Sequence, residues 1–150
     1  MNDIKNTLRA QCMAHTELRI QEIVLAMEQA QESLESDTKS SAGDKYETSR
    51  EMIQQDLTRY QGQLLHAKKD RVILEQLDPL QTTGTIVLGS LVTTNKAAYF
   101  MAISLGKLHV EGHDYIAISA ASPIGQLFMG KQVGDVIDFN GAKQQILAVL

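Results

Sequence analysis

Tryptophan is absent from these 150 residues, aromatic residues make up only 5%, and a large aromatic core is therefore excluded. Cys12 is the only cysteine, which rules out an intrachain disulfide and any thiolate zinc site. Proline occurs twice, at Pro79 and Pro123, so nothing interrupts the first 78 residues. Glycine is nearly missing from residues 1–77, which hold only Gly43 and Gly62. A basic excess is lacking too: the net charge of -4 argues against a face that wraps duplex nucleic acid. No apolar run approaches the length of a membrane span, and MNDIKNTLRAQ has no signal-peptide core. No membrane association and a reduced, cytoplasmic setting are the expectation.

What is present falls into two halves with different periods. Met13, Ile20, Met27 and Leu34 recur every seven residues, flanked by Ile23, Val24 and Leu25. Tyr46, Ile53, Tyr60, Ala67 and Leu74 form a second series, with Leu57 and Leu64 four residues after Ile53 and Tyr60. This spacing predicts two helices packed as a coiled coil over residues 1–77, the alternative being two separate helices of a bundle. Pairing Leu34 with Tyr46, Met27 with Ile53, Ile20 with Tyr60 and Met13 with Ala67 puts a common midpoint at residue 40. DTKSSAGDKYET, residues 37–48, lies around that midpoint and is small, polar and turn-like. An antiparallel hairpin with its tip at about 36–45 is expected.

Residues 78–83 read as a linker, because the residue before Pro79 avoids helical geometry. Residues 84–150 alternate β-rich runs with glycine turns: TIVLGSLVTT, AAYFMAIS, LHVEGHDYIAIS, DVIDF and QQILAVL. In SPIGQLFMGKQV, Ser122 can cap a short helix that Pro123 begins. The expected fold is α+β: a long N-terminal antiparallel hairpin, then an antiparallel sheet carrying one short helix.

Charge is uneven along the hairpin. From Glu28 to Glu51 seven acids face three bases, whereas the rest of residues 1–77 is slightly basic. Lys5, Arg9, Lys68, Lys69 and Arg71 mark the end away from the tip. Carboxylates at the tip suit a hard divalent cation such as Mg²⁺. Ser41 and Asp44 also fit a capping box, so Asp44 and Glu47 have a structural use at a helix start. His109 and His113, with Glu111 and Asp114, read as two strands about a Glu-Gly turn rather than as metal ligands. His15 and His66 fall near one another across the hairpin and read as a polar interhelical pair, and Cys12 as packing. A prolyl isomerase needs an aromatic-lined pocket, and the second half offers only Tyr99, Phe100, Tyr115, Phe128 and Phe139.

ISAASPIGQLFMGKQVGDVIDF, residues 118–139, resembles the signature of the Gre family of bacterial transcript cleavage and elongation factors, through Ser122, Pro123, Gly130, Lys131, Gly134 and Asp135. Asp37, Lys39, Tyr46, Arg50 and Glu51 resemble that family's tip pattern. The resemblance implies an FKBP-like C-terminal domain that docks on RNA polymerase through Ser122, Pro123, Gly130 and Lys131, and a coiled coil that enters the secondary channel. It implies that the chain, not itself an enzyme and expected as a monomer, brings Asp37, Asp44 and Glu47 to the polymerase's Mg²⁺. Asp37 and Asp44 would share the metal, and Lys39 and Lys45 would reach phosphates of the nascent RNA 3′ end. Two extra residues stand between Asp37 and Tyr46, so the family's second tip acid falls near Ser40 and Ser41. A channel-binding regulator without cleavage stimulation is the alternative that this departure implies.

Overall fold

In the computed structural model of the chain the backbone is described for residues 2–40 and 44–150, and the side chains for residues 3–36 and 48–150. Two long helices come first, α1 (Asn2–Ser40, 39 residues) and α2 (Asp44–Gln76, 33 residues). At about 1.5 Å rise per residue each exceeds the usual globular helix severalfold. Strands β1 (Leu91–Thr94), β2 (Ala98–Ala102), β3 (Gly106–Val110) and β4 (His113–Ser119) follow. Helix α3 (Pro123–Phe128) then precedes β5 (Val136–Phe139) and β6 (Ala142–Val149). The chain divides into two compact units: Met1–Ala14 with Val72–Leu150, and His15–Arg71.

The first unit is built on a six-stranded sheet of order β3-β4-β2-β1-β6-β5. It is mixed, not antiparallel as expected, because β2 and β4 run parallel with Tyr99 beside Ile116 and Met101 beside Ile118. Parallel neighbours need a crossover. Here β3 supplies it by pairing antiparallel on the outer side of β4. The run TIVLGSLVTT is strand only over Leu91–Thr94; Thr85 makes a single bridge to Gln132. Gly89 breaks that run with φ 91, and an added Cβ there would meet Leu77 Cγ at 3.2 Å. A side chain at Gly89 would therefore be strained in backbone and crowded in space.

Alternation along the strands sends side chains to two faces. Leu91, Phe100, Ala102 and Ala117 face one way and pack with Leu8 and Cys12 of α1, with Leu74 of α2 and with Leu77 just beyond it. Val92, Tyr99, Met101 and Ile118 face the other way and pack with Phe128 of α3. The Tyr99 and Phe128 rings lie 5.0 Å apart in a tilted pair. Beneath them Tyr99 Oη and Thr94 Oγ1 both donate to Gln144 Oε1, at 3.0 and 2.8 Å. Cys12 is fully buried in the first of these clusters, as its reading as packing anticipated.

The second unit has a far smaller core, in which Ile20, Ile23 and Ala67 are buried and Met27, Tyr60 and Leu64 pack against them. Its helices are antiparallel, but their register differs from the expected one. Arg71 Nη1 lies 3.4 Å from Glu17 Oε1, and Arg19 Nη1 lies 3.8 Å from Asp70 Oδ2. These pairs have midpoints near residue 44, not 40. In the expected register Glu17 would face Gln63, eight residues and about 12 Å along the axis from Arg71. Moving the midpoint by half a heptad moves each partner by a whole heptad, so Ile20 pairs with Ala67 instead of Tyr60. A seven-residue repeat looks the same after that slip, so the apolar series could not detect it. Met13 instead joins the first unit's core.

Candidate functional site

The expected tip residues Asp37, Lys39, Asp44, Lys45 and Glu47 lie outside the side chains described, as does the capping box of Ser41 and Asp44. Tyr46 lies outside them as well. Their backbone neighbours are helical on both sides, since α1 extends to Ser40 and α2 begins at Asp44. Leading towards that segment, Glu28, Glu32, Glu35 and Glu51 are all solvent-exposed. Among the described residues no group of three or more His, Cys, Asp or Glu side chains is placed to hold a metal ion. The two helices of the second unit also leave a cleft of about 410 Å³, lined by Val24, Met27, Glu28, Gln31, Leu57, Gln61 and Leu64.

The expected docking residues Ser122, Pro123, Gly130 and Lys131 come together around α3. Ser122, extended at φ -67 and ψ 157, is the N-cap, and its Oγ accepts from Gly125 N at 3.1 Å. The same hydroxyl donates to Ser119 O at 2.7 Å, so one side chain closes both the helix start and the end of β4. Pro123 takes the first helical turn, where its missing N–H costs nothing. Gly125 is required by close approach: a Cβ there would stand 1.9 Å from Ser119 O. After the helix, Gly130 adopts φ 80 and donates its N–H to Ile86 O at 2.9 Å. Lys131 O accepts from Ile86 N at 2.8 Å, which leaves the Lys131 side chain on an exposed turn. The motif thus serves two ends: four residues shape the turn, and one cation is presented to solvent.

The β3–β4 hairpin turns on Glu111 and Gly112, at φ 51 and 81. His109 Nδ1 lies 2.8 Å from Asp114 Oδ1, with Lys107 Nζ 3.8 Å from the other carboxylate oxygen. The hydrogen bond from His109 is the main reason the Asp114 carboxyl is held below its ordinary value. His66 does not pair with His15 as expected; its Nδ1 accepts from Arg19 at 3.3 Å and lies 3.7 Å from Asp70 Oδ2. The heptad slip explains the exchange of partner.

Sequence reasoning placed Lys5 among the bases at the end away from the tip and missed its burial. The residue is 1% exposed and its Nζ donates to Gln81 O at 2.8 Å. Burial pushes the ammonium below its ordinary value, and the charge of Asp78 partly opposes this. The helical spacing of Lys5 to Leu8 and Cys12, both buried, was the available signal.

No protein-family model matches the chain, and no curated protein does. Among solved structures it is similar to the "Structure of the transcription factor Gfh1", at 19% identity over 91% of this chain and 92% of that one, with a TM-score of 0.37. Among the described residues no helix is long and apolar enough to cross a membrane.

Proposed function

We propose that this chain is a Gre-like transcription elongation factor that binds RNA polymerase and carries carboxylates into its secondary channel. The observation that supports the reading best is the form taken by residues 118–139. Ser122 caps α3 and Pro123 opens it, Gly125 is required by close approach, Gly130 takes a positive φ, and Lys131 is exposed on the turn where it could meet a partner's surface. The order of elements agrees, with two long helices preceding the sheet and α3. In this reading Asp37 and Asp44 offer oxygens to a Mg²⁺ that the polymerase already holds, with Glu47 in support. Such an ion supplies Lewis acidity and lowers the pKa of bound water. The chain's own part is to deliver charge at the end of a helix pair. Lys39 and Lys45 would contact phosphates of the transcript.

The departure of the tip from the family pattern, with serines at positions 40 and 41, favours a second reading. In it the same docking occupies the channel without stimulating cleavage. The test uses RNA polymerase stalled on a backtracked template, with Mg²⁺ and the full chain. Shortened transcripts that disappear with Asp37→Ala or Asp44→Ala assign the carboxylates. Binding without shortening, together with inhibition of a cleavage-competent factor, selects the regulator. Failure to bind polymerase overturns both.

A further inference from the structure

The joint between α2 and the sheet is held from an unexpected direction. Lys5 Nζ donates to Gln81 O at 2.8 Å, and one turn along α1 the Arg9 Nε donates to Leu74 O at 2.8 Å. These two cations thereby grip the last turn of α2 and the segment just beyond it. That segment is itself turned by Asp78, whose Oδ1 accepts from Leu80 N at 2.9 Å and whose carbonyl accepts from Gln81 N at 3.3 Å. The Asp78 carboxylate is also the charge that acts on the Lys5 ammonium. A cation at the C-terminal end of a helix is favourably placed. Arg9, part-exposed, meets that need at lower desolvation cost.

Lys5 is a different case. With 1% of the residue exposed, it pays the desolvation cost of a buried ammonium, and an apolar residue in the stripe with Leu8 and Cys12 would avoid it. We infer that Lys5 is a latch: by holding the Gln81 carbonyl it selects one path for residues 78–83, and so fixes the sheet against the ends of the helices within this unit. Fixing a single arrangement, rather than adding stability, is the use of the buried charge. The inference is independent of the proposed function.

The test is Lys5→Met in the full chain, which keeps the unbranched stem and removes the charge. Amide hydrogen exchange is followed at Leu80 and Gln81, with Met101 and Ile146 as reporters of the sheet. The expected result is exchange at Leu80 and Gln81 faster by about tenfold, unchanged exchange in the sheet, and a denaturation midpoint equal to or above that of the wild type. Arg9→Met serves as the comparison and should leave Gln81 slow. Unchanged exchange at Leu80 and Gln81 overturns the latch. A lower midpoint with uniformly faster exchange, or a variant that does not fold, also overturns it, because Lys5 would then be an ordinary part of the core.

Discussion

The two units of this chain hold themselves together by different means. In the first, a mixed sheet is covered on both faces, and Phe100, Met101, Ile103, Phe128 and Ile146 are almost or wholly inaccessible. In the second, two helices share a line of contact in which, among the described residues, Ile20, Ile23 and Ala67 form a small buried cluster. Meanwhile Leu18, Leu25, Met52 and Leu65 of the second unit are more than half exposed. A sheet collects apolar side chains from distant parts of the chain into layers, whereas a helix pair can bury only the stripe where its cylinders touch. The first unit should therefore resist unfolding, and the second should open locally at lower cost.

That contrast can be broken by experiment. Phe100→Ala should carry the largest penalty, about 3–5 kcal/mol in denaturant unfolding of the sheet, because the ring is fully buried and its neighbours cannot collapse. Ile23→Ala should cost less, about 2 kcal/mol, the low end for such truncations, because its side chain is smaller and sits in a much smaller cluster than that of Phe100. Equal penalties at the two sites would erase the distinction. Gly62→Ala should act in the other direction and stabilise the second unit by about 0.5–1 kcal/mol, read as a rise in thermal midpoint. Gly62 lies within α2, and a Cβ there meets nothing within 4 Å. The smallest effect belongs to Asp114 at the edge of the first unit. Its folded carboxyl titrates below the unfolded value of 3.8, so its stabilising contribution is present above that value and fades as pH falls through the folded one. Asp114→Asn should flatten the acid limb of the stability curve by a small amount, since the pair is exposed.

Much of this was legible beforehand, for identifiable reasons. Ser122 and Pro123 announce α3 because capping chemistry is local, and the Glu111–Gly112 turn follows from glycine between two β-rich runs. The heptads declared two packed helices, since a repeat of seven has few other uses. Partnering was not legible. Glu17–Arg71 and Arg19–Asp70 lie one heptad away from the pairing that the apolar series suggests. Nor does any local pattern reveal that β4, arriving after an outer hairpin strand, lands parallel to β2. The burial of Lys5 had only a weak signal, its helical spacing to Leu8 and Cys12, because lysine in a first helical turn is ordinarily solvated.

By itself the sequence determined that two long helices precede a set of short strands and one capped helix, and where carboxylates concentrate, because these depend on neighbours within a few residues. Tertiary structure alone decided the register of α1 against α2, the mixed order of the sheet, and the burial of the Lys5 ammonium beside Gln81. Those depend on which distant surfaces meet, and a periodic or alternating pattern offers several equivalent meetings until packing and charge choose one.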